Sequence, residues 1–290
     1  MRNLKLLILA LFVLSGCLSD TVPEGMVLVS SGTFKMGTNE IDKDNHALSL
    51  GMQKPWFADE TPEHLVFLPD FYIDKYEVTN QQYYIFCQAT DHNPPPIWGG
   101  MKYPEGAEDY PVSQVNFYDA SAYAEWVGKR LPTEAEWEKA ARGPDNFIYP
   151  WGNEFDPAAA NVNLATKSHG PKPVGSFPQG VSFYGTHDMI GNVWEWVWDY
   201  YAPYPNSTYK SPDYDKKYVV VRGMSYLGIG HFPKDEYKKA VVLMSRATYR
   251  GRLDPLSWKT DVGFRCVKDA VSIFQQFFGE RPDNSGLKKS

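Results

Sequence analysis

The most regular alternation in the chain runs from residue 193 to residue 198, where Trp194, Trp196 and Trp198 alternate with Val193, Glu195 and Val197. A period of two predicts a β-strand with three indoles on one face and Val, Glu, Val on the other. Both faces are largely apolar, so the pattern predicts a strand covered on both sides, with Glu195 between two buried valines. An isolated buried carboxylate is very costly, so Glu195 needs a partner. Just upstream, Gly191 allows a tight turn over which the Asp188 side chain can fold back. An acid before the turn, an acid after it and carbonyls between them suit a hard cation such as calcium. An ion pair from Glu195 to an arginine is the other arrangement that would satisfy the carboxylate.

Elsewhere the pattern is shorter in range. Residues 26–36 suggest a strand or a hairpin, 39–63 a long polar loop, and 65–76 a further strand. Three helices are marked by their caps. Thr79 with Gln82 forms a capping box ahead of Tyr83, Phe86 and Cys87 at i, i+3, i+4. Asn116, with Asp119 near it, caps a face of Ala120, Tyr123, Ala124 and Val127 that Gly128 can close. Thr133 with Glu136 caps a third, whose inward face is Trp137, Ala140 and Ala141 and which Gly143 ends. After Gly143 turns dominate. The tyrosine-rich segment 200–218 could line a ligand surface, and the reading adopted is a packed surface loop. Residues 219–226 predict a strand ending in Arg-Gly-Met-Ser-Tyr, and 262–267 a last core strand. No internal repeat and no Pro/Gly/Ser linker divides the chain, which predicts one domain.

Composition adds that the fold is rich in loops: Gly and Pro together number 45 of 290 residues, and aromatic residues make up 15%. The net charge of −6 and the absence of any basic block argue against nucleic acid as a partner. The amino-terminal end changes the picture more. Arg2 and Lys5 precede an apolar run over 6–14 that is too short to span a bilayer, followed by Leu14-Ser15-Gly16-Cys17. This resembles a bacterial lipobox, which implies a signal peptide over 1–16, lipidation of Cys17, a tether over 17–24, and an extracytoplasmic, cell-envelope location, at the outer membrane if the cell is Gram-negative. Loss of Arg2 and Lys5 takes the 29 basic residues to 27 against 35 acidic ones, a net of −8. Residues 25–270 form the domain and 271–290 a tail. The remaining cysteines, Cys87 and Cys266, could pair in an oxidising compartment, or Cys87 could sit inert on its apolar helical face.

The motifs carry a family resemblance. Gly32-Thr33-Phe34 with Met36-Gly37, Glu77-Val78-Thr79-Asn80, Tyr110-Pro111-Val112, Arg130-Leu131-Pro132-Thr133-Glu134-Ala135-Glu136-Trp137 with Ala140-Ala141-Arg142-Gly143, Tyr149-Pro150-Trp151-Gly152, Asp188 to Trp196, Arg222-Gly223 and Gly263-Phe264-Arg265 occur in one order over about 25–268. Together they resemble the formylglycine-generating enzyme (sulfatase-modifying factor) family. The resemblance implies an α+β, irregular C-type-lectin-like fold with little regular secondary structure. It implies a calcium site at Asp188, Gly191, Val193 and Glu195, the middle two through backbone oxygen. It implies a weaker second site at Asn161 and Val162, whose later acidic ligand has no match in 164–172.

The family's founding activity oxidises a cysteine of a client sulfatase to formylglycine with Cu(I) held on two thiolates, ligands soft enough to select that ion. Aligned on Ser225-Tyr226, the first such cysteine should stand at Gly228, and no cysteine occurs from there to Arg265. Cys266 matches a different family cysteine, whose usual disulfide partner position is Ala124 here. A branch of the fold family assists nonheme-iron sulfoxide synthases, yet His46, His64, His92, His169, His187 and His231 include no pair at helical ligand spacing. Copper chemistry is therefore not expected. The sequence reads as a lipid-anchored binding or assembly module with an envelope protein or glycan as partner. The alternative is an enzyme using the same cleft with Ser225, Trp194, Arg246 and Arg250.

Overall fold

A computed structural model describes residues 21–164, 170–230 and 232–270. Cys17, its lipobox and the tail beyond residue 270 lie outside the described residues. Strand β1 (Met26–Val29) is followed by β2 (Gly32–Met36), a one-turn α1 (His46–Ser49), β3 (His64–Leu68) and β4 (Phe71–Asp74). Helices α2 (Asn80–Thr90), α3 (Phe117–Trp126) and α4 (Glu134–Arg142) follow, then β5 (Trp194–Tyr200), β6 (Val219–Arg222), α5 (Lys234–Met244), β7 (Gly251–Leu253), β8 (Val262–Gly263) and β9 (Val267–Asp269). This is a mixed helix and sheet fold in which loops carry much of the chain.

The strands form three small sheets, ordered β1-β4-β9, β2-β3 and β7-β6-β5-β8. Residues 26–36 are therefore not a hairpin. β1 pairs antiparallel with β4, and β2 with β3, so the two leave for different sheets. Likewise 262–267 divides: β8 pairs parallel with β5, and β9 pairs antiparallel with β4. Local alternation shows that such segments are extended but carries no information about which distant strand completes the ladder.

All three predicted caps form, each as a capping box. The Thr79 and Thr133 hydroxyls accept from the backbone N–H groups of Gln82 and Glu136, the Asn116 carboxamide oxygen accepts from that of Asp119, and each third residue's side chain bonds back to the cap. The packing of α4 departs from the amphipathic expectation. Trp137, Ala140 and Ala141 are buried, and so are Glu134, Glu136, Glu138, Lys139 and Arg142. This helix is enclosed all round, because its charged side is met by arginines from other segments. One core cluster packs α2 and α3 against Trp196, Phe264 and Cys266; another packs α4 against Ile73, Met189, Val197 and Val220.

Helix α5 is absent from the sequence reading. Its N-cap, Pro233, supplies no side-chain cap, which removes the signal that revealed the other three. Tyr237, Ala240, Val241 and Met244 do follow the i, i+3, i+4, i+7 pattern, and the first three are buried.

Candidate functional site: a buried acidic turn beside an aromatic cleft

Residues 188–192 form the predicted turn, with left-handed backbone at Asp188 (φ 55°), Gly191 (φ 87°) and Asn192 (φ 60°). Gly191 is required there. A Cβ at that position would stand 2.7 Å from the carbonyl oxygen of Asn161. The turn runs through Val193 into β5, and Val193, Glu195 and Val197 on the inward side are completely buried. The indole face is covered only in part. Trp196 is fully buried and donates to the Val115 carbonyl at 3.0 Å, Trp194 is half-buried, and Trp198 is 50% exposed beside an irregularity in the pairing with β6.

Glu195 is held by Arg265. Arg265 Nε donates to Glu195 Oε2 and Nη2 to Oε1, both at 2.7 Å, and the Trp137 indole N–H adds 2.9 Å to Oε2. Both partners of the pair are fully buried. Arg265 also donates to the carbonyls of Asp74, Lys75 and His187, so one guanidinium ties β4's exit to the turn. This bidentate geometry is the ion-pair arrangement open in the sequence.

Two further acids lie in the same field. Asp188 Oδ2 accepts from the Gly175 N–H at 2.6 Å. Burial pushes its carboxyl up, with Glu195 adding to the rise, while the Gly175 N–H and Arg265 oppose it. Glu77 is 1% exposed, and neither carboxylate oxygen has a hydrogen-bond donor. Burial and then the Asp188 charge push its carboxyl well above the usual range, against the pull of Arg265. Among the described residues no three His, Cys, Asp or Glu side chains converge as a ready metal cage. An orphaned, enclosed carboxylate beside Asp188 nonetheless fits a hard cation completed by backbone oxygen. At the weaker site, the Asn161 carbonyl accepts from the Asn192 N–H at 3.0 Å and its amide donates to Asn192 Oδ1 at 3.2 Å, so Asn161 is spent on fastening the turn. Residues 165–169, part of the segment searched for its acidic ligand, lie outside the described residues.

The four cleft candidates are only partly gathered. Trp194 and Arg250 line a cavity of about 320 Å³ together with Tyr249, Arg252, Lys259 and Asp261. Ser225, fully buried, reaches its wall by donating to Asp261 Oδ2 at 2.6 Å. Arg246 does not line it. It binds Glu60 at 2.7 and 2.9 Å and lies over the Phe57 ring. Arg250 is 2% exposed and mostly structural: it grips Glu134 at 2.7 and 2.9 Å and the carbonyls of Asp59 and Ala202. Burial raises the Glu134 carboxyl, but Arg250 and Arg222 outweigh it and hold the acid below its ordinary value. Sequence reasoning missed Asp261, Lys259 and Glu77, which no local period distinguishes.

At Gly228 (φ 84°), a Cβ would come within 2.4 Å of the Tyr237 hydroxyl. Tyr237 is brought there by α5. Cys87 and Cys266 are both free and buried. Burial, aided by Asp119, pushes the Cys87 thiol up to about 11, and burial with Asp74 pushes Cys266 well above its ordinary value. Raised, enclosed thiols are the inert kind.

The sulfatase-modifying factor enzyme 1-like domain matches residues 18–270. The chain belongs to the sulfatase-modifying factor family. It is 29% identical over 307 residues to the formylglycine-generating enzyme of Bos taurus, covering 85% of this chain and 75% of that one. To the inactive C-alpha-formylglycine-generating enzyme 2 of the same organism it is 37% identical over 172 residues, 56% of this chain and 51% of the other. Among solved structures, PvdO from Pseudomonas aeruginosa superimposes with a TM-score of 0.60 at 28% identity, over 84% of this chain and 94% of that one. The chain spans about half, or less, of the length of the first curated relatives it matches. The family thus includes relatives named for catalysis and one named as inactive.

Proposed function

We propose that this chain is a lipid-anchored cell-envelope protein whose sulfatase-modifying factor domain serves as a binding or assembly module and not as a copper-dependent oxidase. Its partner is an envelope protein or a glycan, and calcium is its structural ion. The observation that carries this reading is the packing of Tyr237 against Gly228. The position expected for the first copper thiolate has no side chain, and the hydroxyl of α5's tyrosine stands where one would begin. The two cysteines that could substitute are enclosed in the core.

The cleft beside Trp194 is the docking site under this proposal. It pairs an aromatic wall of Trp194 and Tyr249 with the polar groups of Lys259, Arg252 and Asp261. A few polar groups in a concave aromatic setting suit ligand recognition. The Ser225–Asp261 hydrogen bond keeps a second reading in view, an enzyme using other residues of the same cleft.

The test is incubation with a Cys-x-Pro-x-Arg peptide, Cu(I) and oxygen, read by mass spectrometry. The expected result is no conversion of the cysteine to formylglycine. Copper-dependent turnover that is lost in Cys87→Ser or Cys266→Ser would overturn the proposal.

A further inference from the structure

We infer that the carboxy-terminal segment 271–278 is the cover of the outward face of β2 and β3, seating its apolar side on Leu65 and Phe67. Neither calcium nor the aromatic cleft is involved.

The face is bare among the described residues. β2 and β3 form a two-stranded sheet of their own. Its inward side, Phe34, Met36, Val66 and Leu68, packs with Tyr204 and Ala135. Its outward side sets Thr33 opposite Phe67 and Lys35 opposite Leu65. Leu65 is 71% exposed and Phe67 67%, so neither has a cover. Leu65-Val66-Phe67-Leu68 is apolar on both faces, the pattern of a strand enclosed on both sides. Two large apolar side chains together on an outer ribbon mark a docking surface.

The continuation of the chain carries the complementary pattern. On a helical projection of 271–278, Val271, Ile273, Phe274, Phe277 and Phe278 fall on one side, and Ser272, Gln275 and Gln276 on the other. Gly279 and Pro282 follow as stop signals. Eight residues are too few to hold a helix alone in water, so this pattern needs a surface for its apolar side. The polar side holds no Lys or Arg, the residues that fit an amphipathic segment to a bilayer surface.

Connectivity brings the two together. β9 ends at Asp269, opposite Phe71 of β4, three positions beyond Leu68 at the end of β3. The Ser31 N–H donates to Asp70, which fastens the start of β2 to the same point. The Asp269 and Phe67 Cα atoms therefore stand within about 21 Å of each other. Two extended residues followed by an eight-residue helix reach about 19 Å before side chains are counted. The amino-terminal side enters at the other end of β4, where Met26 lies opposite Asp74. The segment thus leaves the domain beside the bare ribbon, at the end of β4 away from the tether.

The experiment is cysteine cross-linking of the full chain with a short bismaleimide. Gln275→Cys, on the polar side of the segment, is combined with Thr33→Cys on the face. In a second protein it is combined with Glu125→Cys on α3. Glu125 is exposed and lies five positions before Arg130, which bridges to Val267, so an undocked segment reaches it as well. Cys87 and Cys266 are buried and do not compete, and each single variant reports any link made by Cys17. The Thr33→Cys link should form within one molecule at least about tenfold faster than the Glu125→Cys link, because docking raises the local concentration at one site alone. Adding Leu65→Ser and Phe67→Ser, both at exposed positions, should abolish that preference. Equal rates at the two sites overturn the proposal, and so does a preference that survives Leu65→Ser and Phe67→Ser. Links between two molecules give the face to a second copy of the chain. Links that vanish when vesicles of phosphatidylglycerol and phosphatidylcholine are added give the segment to a bilayer. Either of these results also overturns it.

Discussion

Asp199 sits beneath the first turn of α4, where its Oδ2 accepts the Glu134 N–H at 2.6 Å. Burial, with the Glu134 carboxylate beside it, pushes its carboxyl up to about 6 from an ordinary 3.8. The folded state therefore binds a proton more tightly than the unfolded chain. Its contribution to stability is complete below pH 3.8 and is lost as pH rises through about 6. Asp199→Asn keeps the acceptor and removes the charge. Its stability relative to the wild type should climb by about 1.4 kcal/mol per pH unit across that window, reaching about 3 kcal/mol. Denaturant midpoints of both proteins between pH 4 and pH 7 check this, and parallel curves would contradict it. Little of this is legible in the sequence. The need of Glu195 for a partner was readable from its flanking valines, but Arg265, 70 positions away, was not, and nothing in Glu77-Val-Thr-Asn marks a carboxylate without donors.

At the scale of elements, what was readable was local. A capping box is written within four residues, so α2, α3 and α4 could be placed at their first residues. The ending of α5 on Met244 and its start after Pro233 have no such mark. Strand pairing is non-local, so β1 and β2 looked like one hairpin although each joins a different sheet. The box of α4 carries more than most. Glu136 Oε2 accepts from the Thr133 N–H at 2.8 Å and from Arg130 at 2.7 Å, so the cap, the helix and the preceding strand-like segment share one carboxylate. Thr133→Ala should lower stability by about 1–2 kcal/mol, at the upper end for a cap, as read from the urea midpoint at unchanged slope. A loss within ±0.3 kcal/mol, roughly measurement error, would show that Arg130 alone fixes the turn.

For the whole molecule, the fold class was readable because the motifs fall in one order along the chain. The cleft was not, since Trp194, Ser225, Tyr249 and Asp261 meet only after β5, β6, β7 and β8 form one sheet. The attachment of the domain to a membrane is the prediction at this scale. Among the described residues no helix is long and apolar enough to cross a bilayer, so under the proposal attachment depends on Cys17. Cys17→Ser should block processing or move the protein from the membrane fraction to the soluble one, as read by fractionation and by the mass of the mature chain. Unaltered processing and membrane retention would refute it.

The three-stranded sheet has a mechanical meaning. β1 and β9 run parallel to each other on either side of β4, with Met26 level with Asp74 at one end and Asp269 level with Phe71 at the other. A pull between the two ends of the domain is therefore directed along the strands. The ladder bonds on both flanks of β4 then bear the load together instead of opening one after another like a zip. A domain tethered at its amino-terminal side and tugged by a partner beyond its last strand would resist as a clamp, with its core and its acidic turn shielded from the strain.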